Sequence, residues 1–216
     1  MTGRGVRHRI GAVSVVLALG LGGTATATAS ATAAPAAAPA LSTAATTQAS
    51  ADVDYATWQR DVKAVIDQAK PYIEQRTANA QGQKLALVFD IDNTTLETDF
   101  HPWYQLPTPA LKPSLELARY AESRGVDIIF VTARPGIIHS LTKWNLESVG
   151  YPVTAVHVRD LPDLFEEVSA YKTAERAKIE AQGYTIIANV GNRETDLVGG
   201  HAERTFKLPD YNGQLS

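Results

Sequence analysis

The sequence predicts one α/β domain built on a parallel sheet covered by helices on both faces. Three observations carry that prediction. Strand-like and helix-like segments alternate from residue 84 to residue 191. The strand-like segments are apolar throughout, without the polar alternate face of a half-exposed sheet. Glycine follows the helix-like segments, as at Gly125, Gly150 and Gly183, where a helix can stop.

The elements follow in order. Residues 54–78 carry apolar groups at Trp58, Val62, Val65, Ile66, Ala69, Tyr72 and Ile73, a helical spacing, with Pro71 expected to kink or split the helix. "KLALVFDI" (84–91) reads as a buried strand. "PSLELARYAESRG" (113–125) is a helix, "VDIIFVTA" (126–133) a second strand and "GIIHSLTKWNLESVG" (136–150) a helix. "VTAVHV" (153–158) is a third strand, "EVSAYKTAERAKIEAQG" (167–183) a long helix and "YTIIANVG" (184–191) a fourth strand. "RTFKLP" (204–209) is a short fifth strand.

The first fifty residues have a different character. Arg4, Arg7 and Arg9 precede the apolar run "IGAVSVVLALGLGG", and small residues with A-x-A patterns follow. That order predicts a secretory signal peptide over 1–34, too short in its apolar part for a comfortable membrane span. The run lacks a twin-arginine pair, which favours the general secretion route. Residues 35–51, rich in Ala, Thr and Pro, predict a disordered spacer, leaving 52–216 as the folded domain. No stable membrane anchor is expected after cleavage, and the expected location is extracellular.

Charge and composition exclude several classes. The chain has 20 Lys+Arg and 23 Asp+Glu; without residues 1–34 the count is 17 against 23, a net charge of −6. That balance argues against nucleic acid as the partner. With no cysteine there is no thiolate nucleophile and no Cys-ligated zinc. The histidines are scattered, no H-E-x-x-H occurs, and the one Arg-His pair lies in the signal segment.

In a doubly covered parallel sheet, ligands sit at the carboxyl ends of the strands. Asp90 and Asp92 end the first strand, Thr132 the second, Gly191 and Asn192 the fourth, and Lys172 lies on the helix before the fourth. Any one of these could be a cap or a turn residue. Their convergence on one edge points to chemistry.

"DIDNTT", "FVTAR", "YKTAER" and "NVGNRETDL" are similar, in order and spacing, to the four motifs of the haloacid dehalogenase (HAD) superfamily. "FDIDNTTLET", "FVTARP", "YKTAERAKIEAQGYTIIANVGN" and "RTFKLP" resemble the acid phosphatases of subfamily IIIB, the group of bacterial class B enzymes and plant vegetative storage proteins. The resemblance runs from about Trp58 to Pro209. It implies a three-layer Rossmann-like HAD fold with a central parallel sheet, a small or minimal cap and an extra N-terminal helix.

The resemblance also implies a site. Asp90 would be the nucleophile of an aspartyl-phosphate intermediate, and Asp92 the general acid. Carboxylates this close are expected to titrate apart, one ionised and the other protonated, which suits an acidic working pH. A carboxylate about 4 Å from an anionic phosphate faces about 4 kcal/mol of repulsion per charge pair at an effective dielectric near 20. Lys172 would offset part of it, and Mg2+ the rest, held by Asp90, the backbone carbonyl of Asp92, Asn192 and Asp196, the last either as a ligand or as a hydrogen-bond acceptor behind the ligands. Thr132 would donate to a phosphoryl oxygen, with backbone N–H groups after Asp90 helping. Asn93 and Thr94 are expected to bind substrate, and Arg134 either to face substrate or to pair with a surface acid. Phe100, Trp103 and Tyr104 are expected either to wall a nucleoside or aryl group or to anchor their loop.

One position departs from the family pattern. The fourth motif usually reads G-D-x-x-x-D, and here it is Gly191-Asn192-Arg193-Glu194-Thr195-Asp196. An amide oxygen ligates magnesium without the charge, so Asn192→Asp is expected to tighten binding. The leading expectation is a secreted Mg-dependent acid phosphatase for small phosphomonoesters, with oligomerisation and transfer to another alcohol left open. The alternatives are a catalytically weak storage or binding protein on the same fold, and a phosphatase of lipid or surface phosphates, suggested by the resemblance of "GNRETD" to lipin-type enzymes.

Overall fold

The computed structural model describes residues 53–80 and 82–215. The expected signal peptide and spacer lie outside the described residues. Five parallel strands, β1 (Lys84–Phe89), β2 (Asp127–Pro135), β3 (Ala155–Arg159), β4 (Tyr184–Gly191) and β5 (Thr205–Lys207), form one sheet in the order β3-β2-β1-β4-β5. From β1 the chain winds outward to β3, then crosses back to place β4 on the other side of β1. The strand order therefore reverses between β1 and β4, where a crevice opens at the carboxyl ends.

The side chains of β1 alternate between two cores. Leu85, Leu87 and Phe89 face the larger one, beneath helices α1 (Tyr55–Ala78) and α2 (Lys112–Ser123). Ala86 and Val88 face the smaller one, with Tyr171 and Ile179 of α4 (Val168–Ala181). The helix α3 (His139–Ser148) follows β2 and contributes Leu146 to the larger core. A register shift between Ala86 and Leu87, opposite Ile187, adds one residue to β4. Because both faces are covered, the central strand β1 lacks a polar alternate face beyond its first residue.

Two element boundaries differ from the expected ones. Pro71 does not split α1, which runs unbroken from an N-cap at Asp54, whose carboxylate accepts from Thr57 N at 2.7 Å. Trp58, Val62, Ile66, Ala69 and Ile73 form one buried stripe on both sides of the proline, and that burial outweighs the single missing backbone donor. The helix expected from residue 136 begins as a short 3-10 turn, Gly136–Ile138, before α3. After α2, Gly125 takes φ +77°, a left-handed stop that only glycine adopts cheaply.

Between β1 and α2 the chain makes the small excursion expected of a minimal cap. Its base is closed by Glu97 N to Pro109 O at 3.0 Å and Leu111 N to Thr95 O at 2.8 Å. Phe100, in the 3-10 turn Thr98–Phe100, stacks on Trp58 of α1 with ring centroids 4.4 Å apart. The buried Glu97 carboxylate accepts from Tyr55 Oη at 3.0 Å and Gln59 Nε2 at 2.6 Å. The extra N-terminal helix thus holds the loop that follows the first motif. Trp58→Ala should lower stability by about 3–5 kcal/mol in urea unfolding, and protease cleavage within residues 98–107 should accelerate in the same variant.

Candidate active site

Asp90 continues the ladder past β1, its N–H donating to Val190 O at 2.9 Å. The chain then folds tightly over Ile91, whose carbonyl accepts from the N–H groups of Thr94, Thr95 and Leu96 at 3.2, 2.9 and 3.0 Å. Asn93 sits at φ +53°, a left-handed position that asparagine tolerates better than most residues. This turn aims both aspartates of the motif out of the sheet edge.

Lys172 reaches the same edge from the first turns of α4 and is 2% exposed. Its ammonium donates to Asp90 Oδ1 at 2.5 Å and to Asp196 Oδ1 at 2.7 Å. The other oxygen of Asp196 accepts from Arg193 N at 2.8 Å. Asp196 sits on α5 (Glu194–Leu197), a single helical turn after β4. A Cβ at Gly191 would lie 2.4 Å from Asp196 Cβ, so glycine there is a packing requirement. The buried guanidinium of Arg176 secures the following loop, donating to Asp196 O at 2.7 Å and Gly200 O at 2.9 Å as well as to Val198 O.

Asp92 stands nearer the mouth, with a different set of partners. Arg134 grips it with two bonds, Nη2 to Oδ1 at 2.7 Å and Nε to Oδ2 at 3.1 Å. Thr98 Oγ1 donates to Oδ1 at 2.8 Å. Asn192 is fully buried, with Oδ1 accepting from Thr94 Oγ1 at 3.2 Å.

The buried group of Asp90, Asp196 and Lys172 carries one more negative than positive charge. Burial pushes the Asp90 carboxyl up to about 7; Lys172 opposes this, and the charges of Asp196 and Asp92 add to it. The dominant cause is therefore burial, with Asp92 contributing less, whereas the sequence suggested repulsion between the two aspartates. For Lys172, burial alone would depress the ammonium, but Asp90 and Asp196 outweigh it and raise its pKa above the usual lysine value.

A cavity of about 540 Å³ joins these groups, lined by Asp90, Asp92, Arg134, Lys172, Asn192 and Asp196 among others. The remaining expected residues sit differently. Thr132 is buried on β2, its Oγ1 accepting from Arg134 N at 3.2 Å. Asn93 Oδ1 accepts from Asp99 N at 3.0 Å within the loop. Phe100 anchors the loop on Trp58, while Trp103 and Tyr104 are 88% and 70% exposed and pack edge-to-face on each other. None of these three aromatics lines the cavity. Thr98 and Arg176 had not been singled out in the sequence. Arg176 stands four residues after Lys172, on the same face of α4, which is the signal that could have found it.

Comparison with known proteins assigns this parallel sheet, with two carboxylates, a buried lysine and a guanidinium at its strand-order reversal, to the phosphoric monoester hydrolases of the HAD type. Residues 14–106 and 97–214 match the model of HAD superfamily, subfamily IIIB (Acid phosphatase), and the chain belongs to that family. It is 31% identical over 175 residues to the stem 28 kDa glycoprotein of Glycine max, covering 71% of this chain and 68% of the relative. It is 25% identical over 173 residues to acid phosphatase 1 of Solanum lycopersicum, covering 71% and 68%. Among solved structures, the class C acid phosphatase from Bacillus anthracis shares the fold, with a TM-score of 0.56 at 21% identity over 68% of this chain and 67% of that one.

The raised Asp90 carboxyl sets a pH dependence. A carboxyl whose folded pKa lies above its unfolded value of 3.8 binds more protons folded than unfolded between the two values. The metal-free protein should therefore lose stability as pH rises from about 4 to about 7, and Asp90→Asn should flatten that slope in thermal melts run in chelator. Arg176→Ala should lower stability by about 1–3 kcal/mol, because the loop loses the guanidinium's bonds to Asp196 O, Val198 O and Gly200 O, measured by chemical unfolding.

Proposed function

We propose that the chain is a secreted, magnesium-dependent acid phosphatase acting on small phosphomonoesters through an aspartyl-phosphate on Asp90. The observation that carries this is the Lys172 ammonium buried between Asp90 and Asp196, at the cavity that also holds the Asp92–Arg134 pair. A lysine this buried needs a function or a strong counter-charge, and here its counter-charge is the proposed nucleophile.

The residues fit a hard cation. The donor set is all oxygen: the Asp90 carboxylate, the Asp92 carbonyl and the Asn192 amide, next to a buried group short of one positive charge. Two of these three donors are neutral. Both oxygens of Asp196 already accept hydrogen bonds, which suits it to orienting Lys172. When bound, Mg2+ supplies positive charge that keeps Asp90 ionised and draws off charge from the phosphoryl oxygens.

In the proposed reaction an Asp90 carboxylate oxygen attacks phosphorus and the ester P–O bond breaks. Asp92 gives its proton to the departing oxygen. Asp92 then takes a proton from water, whose oxygen attacks phosphorus and releases phosphate from Asp90. Lys172 neutralises a phosphoryl oxygen throughout. Arg134 and Thr98 fix the Asp92 carboxyl, and the guanidinium fork suits phosphoryl oxygens as well as carboxylate. Thr132 stands behind Arg134 on the same strand.

Residues 1–34 are proposed as the secretory signal and 35–51 as a spacer, with 52–216 as the enzyme. The storage reading gains from the similarity to vegetative storage protein 2 of Arabidopsis thaliana, 30% identical over 105 residues. The Asp90–Lys172–Asp196 group supports the catalytic reading, because the lysine's counter-charge is the carboxylate at the nucleophile position.

The test is hydrolysis of an aryl phosphate with and without Mg2+. Asp90→Asn should reduce kcat by about 10³-fold or more, and chelator should suppress the parent's activity. An Asp90→Asn protein with full activity would overturn the mechanism. Lys172→Ala should both slow turnover and lower thermal stability, since it leaves two buried carboxylates facing each other.

A further inference from the structure

The chain after β5 turns back onto the fourth motif. Leu208 N donates to Gly191 O at 2.8 Å, and the Lys207 ammonium donates to Asn192 O at 2.5 Å. Tyr211, Asn212 and Gly213 then take φ values of +51°, +59° and +82°, three left-handed residues in a row. This tight reversal brings Leu215 N to Asp210 O at 3.1 Å and seats the Leu215 side chain in the main core. Tyr211 Oη ties the same segment to α1 through Asp61 Oδ2 at 2.8 Å. Backbone, core and helix thus converge to fix one atom, the Leu215 carbonyl oxygen, 3.3 Å from Asn192 Nδ2.

A carbonyl oxygen only accepts, so the group facing it must donate. Asparagine meets that requirement with its NH2, which leaves its Oδ1 pointing the other way, to Thr94 Oγ1. An ionised aspartate would set an oxygen against the Leu215 oxygen whichever way its side chain turned. We infer that residues 207–215 form a strap that selects an amide at position 192 and aims its carbonyl oxygen at the cation, with Leu215 as a positioning residue acting through its backbone. The aiming half rests on the reading of Asn192 as a magnesium donor; the amide selection does not. This reverses the expectation from sequence, in which position 192 differs from the usual motif only by a missing charge.

The strap predicts a coupling between Asn192→Asp and the chain end. Four proteins test it: the parent, Asn192→Asp, the chain ended at Gly213, and the chain ended at Gly213 that also carries Asn192→Asp. In chelator, Asn192→Asp should melt roughly 4–8 °C below the parent, since it loses a buried bond and gains repulsion. The same substitution in the shortened chain should cost clearly less. In calorimetric titrations with Mg2+, Asn192→Asp should leave affinity within about threefold of the parent in the full chain and tighten it about tenfold in the shortened one. If the shortened chain does not fold, Leu215→Ala takes its place, since it unseats the carbonyl and leaves the backbone intact. An Asn192→Asp protein that melts with the parent in chelator overturns the amide selection. Equal tightening in both backgrounds overturns the aiming. A parent that binds no Mg2+ overturns the aiming together with the metal reading, while the melting comparison still decides the selection.

Discussion

The site depends on the burial of one ammonium between two carboxylates. Removing Lys172 from water is expensive, and Asp90 or Asp196 alone would leave the charge poorly matched in a low-dielectric pocket. Together they hold it from two sides at 2.5 and 2.7 Å. The arrangement requires three segments to arrive in register: the end of β1, the first turns of α4 and the single turn after β4. Arg176 and Asn189 support it from behind, both donating to Asp196 O, at 2.7 and 2.8 Å. Phosphoryl-transfer chemistry needs such fixed charge, because a side chain that must reorganise during reaction stabilises the transition state less.

Sequence separation shows why this site cannot form before the sheet does. Asp90 and Lys172 are 82 residues apart, and Thr94 and Asn192 are 98 apart. β1 and β4 are neighbours only because the chain crosses the sheet after β3. The crevice at that reversal is a product of topology. Its chemistry then comes from loops: the turn over Ile91, the Gly191–Asn192 corner and the returning strap. The turn over Ile91 meets that corner through Thr94 Oγ1 and Asn192 Oδ1, and the strap meets it through Leu208 N and Gly191 O, so disturbing one should be felt by the others.

Much of this was legible in the chain. Unbroken apolar runs located the strands, and polar residues at their ends located the cavity edge. Asp90, Asp92, Lys172 and Asn192, placed by their positions at strand and helix ends, line one cavity with Arg134 and Asp196, which the resemblance named, whereas Thr132, placed by position too, is not among its lining residues. What stayed hidden was partner choice. Nothing local says that Asp92 is gripped by Arg134 and Thr98, or that both oxygens of Asp196 are occupied. The aromatics after the first motif were ambiguous because exposure is a tertiary property: Phe100 stacks on Trp58, while Trp103 and Tyr104 stay in solvent. Pro71 looked like a break because its penalty is local and the burial that outweighs it is not. The strap was invisible for a similar reason, since "DYNGQL" reads only as a turn.

The two aspartates of the first motif illustrate how environment separates identical side chains. Asp90 has 8% of its side chain exposed and Asp92 has 29%. The buried one is flanked by an ammonium that cannot leave, so it is poorly placed to exchange protons with water and well placed to attack along a fixed line. The outer one stands nearer the cavity mouth, where in the proposed reaction a leaving oxygen and an incoming water would pass. Its partners are a hydroxyl and a guanidinium, both of which can turn toward a phosphoryl group. A proton carrier needs access and a nucleophile needs fixation. The division of roles proposed for Asp90 and Asp92 rests on the likeness to HAD enzymes, because burial by itself raises the Asp90 carboxyl and the proposed cation is what would keep it ionised.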